Sequence, residues 1–394
     1  MFNRKLFELI PLCCFICLVC CRDFSHSSSN RTELRFYTVG DGIKERFGPD
    51  FYKALDRLKG DTAQLDEFLL TIADQPLTKN QILERSGLSQ SQVDYFITNL
   101  DSFKVIKNDN QGRWATVLPV ITDKQMKIIR KDLAPMASSV AQYLKKEMKE
   151  IETFYDREKS PLDPSWEDMT HFIIDKFIID GTFHSSINKL EREKNASERV
   201  GGPQRSTPAF FLEVGGKNFS NFGCNWYAFS LSSDQREVYV LHGAVLDRYD
   251  IAMNKYRGDR QFAAGLFKIT PEGGIHSLTD REKQMLRDLG WIANNRLLVP
   301  IVNAVTIKRL WPMIEKVGRD AAEVAFDNFA DITNSYDKAP VSKFLDDDDD
   351  YIQVCIHTLF GLIVEQLVKN GEVSRIPNPV PESFGVYLVF GKLF

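Results

Sequence analysis

After residue 21 the sequence has only two cysteines, Cys224 and Cys355, against five (Cys13, Cys14, Cys17, Cys20, Cys21) before it. A lone pair in so large a body is neither a disulfide framework nor a zinc site. One bridge between the two, or two buried thiols packing as small hydrophobes, are the readings left. Histidine is equally sparse. The six (His26, His171, His184, His242, His276, His357) show no metal-ligand spacing with a second His, Cys or carboxylate. A phosphate loop is missing too, since Gly201-Gly202 lacks the strand, helix and lysine that such a loop needs. Charge of one sign is absent: 50 Lys+Arg against 54 Asp+Glu leave a net charge of −4, with no global attraction to nucleic acid. No cofactor, no metal and no catalytic residue is therefore expected. Glu213, His242 and Asp247 would form a polar group only if neighbouring strands brought them together.

The early cysteines belong to a segment with the plan of an export signal. Arg4 and Lys5 give a short positive region, and Leu6 to Cys20 is mostly apolar but short for a bilayer span. Leu18-Val19-Cys20-Cys21 resembles a bacterial lipobox, which implies lipidation of Cys21. Cys20 stands where a smaller residue is usual, and Glu8 and Pro11 interrupt the apolar run. His26 to Asn30 reads as a polar tether.

With 394 residues, 43% hydrophobic and 26% charged, the chain has the composition of a globular protein of two or three domains. The expected organisation is a signal and tether over 1–30, a mainly helical domain over 31–155, and a mixed domain over 165–394, with Asp156 to Pro164 as the boundary.

Within the helical domain, Thr78 and Gln81 form a capping box ahead of a helix, Gly87 supplies a left-handed turn, and Ser89 and Gln92 form a second box. Val93, Phe96, Ile97 and Leu100 give the second helix a buried stripe. Two strand-like runs joined at Asn108 to Gly112 follow, then a helix from Asp123 to about Phe154. This run resembles the winged helix-turn-helix family, in particular the MarR and ArsR type of regulator, with Ile82, Gly87, Leu88, Val93 and Phe96 at its apolar and glycine positions. The resemblance implies partner contacts from the second helix and the wing: Gln90, Ser91, Gln92, Tyr95, Thr98, Asn99, Lys104, Lys107 and Arg113. It also implies pairing of chains through Asp123 to Phe154. The nine basic and five acidic residues between Thr78 and Lys131 give a local excess of +4. The second helix contains no Lys or Arg, so guanine reading by a bidentate arginine is absent.

Further on, Pro208 to Val214, Asn225 to Leu231 and Val238 to Val245 read as a three-stranded antiparallel meander, with Leu266 to Thr270 a candidate edge strand. Residues 277–336 look like a degenerate second copy of the winged helix. Thr279 and Glu282 make its capping box, Asn294-Asn295 its turn, and Leu298-Val299-Pro300-Ile301 echoes Val117-Leu118-Pro119-Val120. Asp346 to Asp350 lack the spacing of a calcium loop and read as the negative start of the helix Tyr351 to Val368. Ser383 to Phe394 reads as a closing strand. The expectation is an α+β protein: a non-enzymatic winged-helix binding protein, lipid-tethered at the cell envelope, that contacts a macromolecular partner or dimerises. A cytoplasmic DNA-binding regulator is the alternative, and an enzyme or small-ligand binder using the middle sheet a third reading.

Overall fold

The computed structural model describes residues 34–39, 62–196, 209–214, 224–231, 236–243, 256, 259–270, 272–326, 348–373 and 386–391. Cys21 with the export signal and tether, the links between the three runs read as a meander, and Asp247 lie outside them. Helix predominates over strand in the α+β mixture that the sequence predicts.

A strand, β1 (Leu34–Val39), is followed by α1 (Thr62–Thr71), β2 (Leu77–Thr78), α2 (Lys79–Ser86) and α3 (Gln90–Ser102). Both capping boxes form: Gln81 Oε1 accepts from Thr78 N at 2.9 Å, and Gln92 Oε1 from Ser89 N at 2.8 Å. Gly87 turns the chain between these helices at a φ of 66°, which a Cβ would strain. β3 (Ile106–Asn108) and β4 (Arg113–Thr116) make a hairpin, and β2 pairs with the other side of β4. Leu65, Phe68, Ile72, Leu77, Ile82, Val93, Phe96 and Leu100 form the core of this first unit. Each such side chain contributes ~1.5–3 kcal/mol by leaving water.

β5 (Val120–Ile121) leads into α4 (Asp123–Glu158), which Thr122 and Gln125 cap with a third box. α4 belongs to a separate, larger core. Its apolar stripe (Met126, Ile129, Leu133, Met136, Val140, Leu144, Ile151) is buried with residues of the later helices. The boundary expected at Asp156 to Pro164 is instead a tied corner. Tyr155 Oη donates to Pro164 O at 2.6 Å, and Asp163 accepts from Asn303 N at 2.8 Å and from the Thr306 hydroxyl. The break between cores falls at β5.

α5 (Trp166–His171) starts on the Ser165 cap and runs without interruption through a π-helical segment (Phe172–Phe183) into α6 (His184–Ala196). The Thr182 hydroxyl reaches back to Phe177 O at 3.3 Å and across to Ile314 O at 3.1 Å.

β6 (Ala209–Val214), β7 (Cys224–Leu231) and β8 (Arg236–Gly243) do not form the expected meander. Only β7 and β8 pair with each other; β6 lies between β1 and β5 in another sheet. Leu266 to Thr270 is not an edge strand. Leu266 to Lys268 end a helix, α7 (Arg260–Lys268), because Asp259 caps Gln261 N and Phe262 N and because Phe262 and Leu266 share one face.

α8 (Asp280–Asp288), β9 (Ile292–Ala293), β10 (Arg296–Leu297), β11 (Ile301–Asn303) and α9 (Ala304–Phe326) then retrace the path of α3 through α4. α3 ends with Lys104 at φ 55° and Val105 N donating to Leu100 O at 2.9 Å; α8 ends with Gly290 at φ 68° and Trp291 N donating to Leu286 O at 2.8 Å. Each hairpin closes the same way, Val117 N to Val105 O and Leu298 N to Trp291 O. Each continues through a proline into a short parallel strand: Val120 opposite Leu212, and Ile301 opposite Leu388. α7, α8 and the β9–β10 hairpin surround a third core with Trp291 at its centre.

α10 (Asp348–Lys369) begins on the aspartate run and ends at Gly371, whose φ of 73° closes the helix. Cys355 within it is a buried free thiol, so no bridge to Cys224 exists. β12 (Val386–Phe390) joins the middle sheet, giving the order β11-β12-β8-β7. Side chains of β12 alternate: Val386 and Leu388 enter the core around Trp291, while Tyr387 and Val389 enter the helical core. The short strands do the same. Val120 and Ile301 face their units, and Ile121 and Val302 face the helices. Two small units thus flank one helical core made from α4, the α5–π–α6 helix, α9 and α10.

Candidate functional site

Each unit leaves the outer face of one helix and the hairpin after it outside its core. In the first unit this is α3 with β3 and β4. Much of its predicted contact chemistry is turned inward. Gln92 is held by its capping box, and its Nε2 donates to Gln64 Oε1 at 2.6 Å. Asn99 Nδ2 donates to Tyr95 O at 2.7 Å, Gln90 Nε2 to Asp94 Oδ2 at 3.1 Å, and Ser91 lies 3.1 Å from the Ser89 hydroxyl. Asp94 pairs with Lys79, whose hydrogen bond holds its carboxyl below the usual range. Arg113 is matched by Asp109, with Nη2 at 2.7 Å and Nε at 2.7 Å. Lys104 is exposed at the left-handed end of α3, Lys107 is half-buried on β3, and Thr98 and Tyr95 are exposed, the tyrosine by 50%. This face is polar rather than basic.

The second unit presents the charge that the first lacks. Arg281 and Arg287 on α8 and Arg296 on β10 are exposed, and Lys283, four residues before Arg287, shares its face of α8. Three of the acids around them are engaged, while Asp280 is exposed at the start of α8. Glu282, 3% exposed, closes its capping box and accepts from Lys268 at 2.6 Å. Asp288 accepts from Tyr256 Oη at 2.6 Å and Gln284 Nε2 at 2.8 Å. Asp259 caps α7 and stands 3.5 Å from Arg281. At the hairpin tip, Asn294 and Asn295 have φ of 49° and 57°, as a two-residue turn between right-twisted strands demands. The contacts expected from the sequence lie only on the first unit, and so leave out Arg281, Lys283, Arg287 and Arg296.

The scattered histidines are partly reunited. His184 and His357 bring their rings to 5.3 Å. His171 lies 3.7 Å from Asp175. Glu213 and His242 fall in separate sheets, which removes the polar group imagined on one meander. Among the described residues no three His, Cys, Asp or Glu side chains are grouped to hold a metal ion.

Comparison with family models, curated proteins and solved structures finds no match to this chain.

Proposed function

We propose that this chain is a non-enzymatic binding protein made of two winged-helix units on a shared helical core, and that it contacts a macromolecular partner with the outer helix and wing of each unit. The observation that carries this reading is the repeated path: capped helix, left-handed residue, hairpin, proline, parallel strand and long helix, with the same helix–hairpin face left outside the core both times. The reading includes a tether at the cell envelope through a lipid on Cys21, which the sequence alone supports. Self-association through Asp123 to Phe154 has the outer face of α4 to use, polar but for the exposed Ile128, because its apolar stripe is buried against other helices of the same chain.

Site-specific photo-crosslinking tests the partner surface. A photoreactive residue at Tyr95, Thr98, Arg281 or Arg287 is expected to capture a defined adduct in cells, whereas one at Lys149 on the exposed side of α4 is not. Adducts of equal yield at all five positions would sink the reading. For the tether, radiolabelled lipid is expected in the full chain and absent from Cys21→Ser; label in neither protein removes that part.

The basic side chains of α8 and β10 favour one more specific partner, the phosphate backbone of nucleic acid. Each phosphate contact releases condensed counterions, so log K falls with log salt at a slope of roughly −0.9 per contact. Replacing Arg281, Lys283, Arg287 and Arg296 by Gln is expected to flatten that slope by about 3, for three to four lost contacts. An unchanged slope excludes this partner at this face.

A further inference from the structure

The helical core contains a polar joint that the partner-binding reading does not use. His184 opens α6 at the end of the π segment, and His357 sits midway along α10. Their rings meet edge to face, and both lie against Phe360 at 5.3 and 5.2 Å. Gln353 ties them together. His357 Nδ1 donates to Gln353 O at 2.8 Å, His184 Nε2 donates to Gln353 Oε1 at 3.2 Å, and Gln353 Nε2 donates to Asn188 Oδ1 at 2.9 Å. Each imidazole commits one ring N–H to Gln353.

The surrounding charges given by the described residues are these. From the π segment come Asp180 and Lys176, paired at 3.0 Å. Burial works against the Asp180 charge, but Lys176 and the two imidazoles outweigh it and hold its carboxyl below the ordinary value. From α4, Asp132 acts on the adjacent Cys355, while Arg130–Glu365 and Lys145–Glu372 cross the same helix pair at 2.5 and 2.6 Å. Asp180 already balances one cation. A charge on each imidazole would place two like charges in edge contact on half-buried rings.

We propose that this joint is an acid-released latch: protonation of the His184–His357 pair frees α10 from the π segment and α6, while α9 stays clamped to them. The clamp is separate and carries no titrating group. It consists of the Thr182 hydroxyl on Ile314 O at 3.1 Å and the close approach at Gly318, where an added Cβ would lie 1.8 Å from Thr182 Oγ1. Burial, with His184 beside it, holds His357 down to about 4. The latch is therefore closed at neutral pH and opens between the ordinary histidine value of about 6.5 and about 4.

Hydrogen exchange of the full chain, read by mass spectrometry at pH 7 and pH 4.5 and corrected for intrinsic rates, tests the latch. Peptides covering 184–190 and 351–360 are expected to exchange at least tenfold faster in acid, with 304–326 and 82–100 unchanged. His357→Gln and, separately, His184→Gln are expected to abolish that selective response. An acid response spread evenly over the chain, no acid response, or a selective response that persists in the substituted proteins would each overturn the proposal. Should His357→Gln not fold, His184→Gln decides alone.

Discussion

At the scale of single residues, the tightest constraint is Gly318. Alanine is the better helix former by ~1 kcal/mol. Its Cβ, however, would meet Thr182 Oγ1 at 1.8 Å, Thr182 Cβ at 2.6 Å and Phe183 N at 2.9 Å. Overpacking of this kind costs ~1–3 kcal/mol, and displacing the Thr182 hydroxyl from Ile314 O costs ~1 kcal/mol more. Gly318→Ala is therefore expected to lower the urea midpoint; a rise would show that the two helices can separate freely. His357 sets a pH dependence of known sign. Its native pKa lies below the unfolded one, so the native state binds fewer protons in between. The contribution is full above about 6.5 and is lost as pH falls to about 4. The span from 6.5 to about 4 corresponds to ~3 kcal/mol. Urea unfolding of wild type and His357→Gln, compared from pH 4 to 7, is expected to converge in acid. Cys355 is fully buried and its thiol is pushed up by burial. Alkylation followed at the Cys355 peptide is expected to stay negligible until the protein is unfolded, and ready labelling of the native chain would contradict its packing.

At the scale of elements, the sequence is most legible where structure is local. Thr78–Gln81, Ser89–Gln92 and Thr279–Glu282 can be read from spacing because one side chain satisfies the next turn's N–H. The left-handed Lys104 could not be read, since lysine gives no hint of a positive φ. Nor could the π segment: seven of the twelve residues from Phe172 to Phe183 are apolar, in runs too short to separate one helical period from another. Strand partners were the largest miss. β6 was read with its sequence neighbour β7 but pairs with β1 and β5, a choice made by contacts far along the chain. The candidate face on α3 was legible as a position but not as chemistry, because intramolecular partners take up Gln92, Asn99 and Arg113. The caps yield a graded test. Loss of a capping hydroxyl costs ~1 kcal/mol. Thr279 also fixes the buried Glu282, so Thr279→Ala is expected to destabilise the chain more than Thr78→Ala in urea unfolding. Equal losses would mean that Lys268 alone holds that carboxylate.

At the scale of the whole molecule, the two units and the helical core form separate apolar clusters. Because the apolar stripe of α4 is covered by its own chain, sedimentation at micromolar concentration is expected to give a species near 45.1 kDa for the unprocessed chain. A dimer would place an interface on polar surface and weaken with salt. The junctions between clusters are β5 and β11. A one-residue insertion between Pro119 and Val120 is expected to exchange the two faces of β5 and to abolish cooperative unfolding, because a slip of one residue sends each side chain to the opposite side.

Those strands carry a mechanical consequence. Val120 is rooted in one packed body and Ile121 in another, as are Ile301 and Val302. Between each pair lies a single peptide plane, which resists twisting with a barrier of ~18–20 kcal/mol. The ψ and φ on either side of that plane are held by the pairing of β5 with β6 and of β11 with β12. A load that tilts an outer helix is delivered to the bundle within one residue, through two stiff pins mounted alike at the starts of α4 and α9.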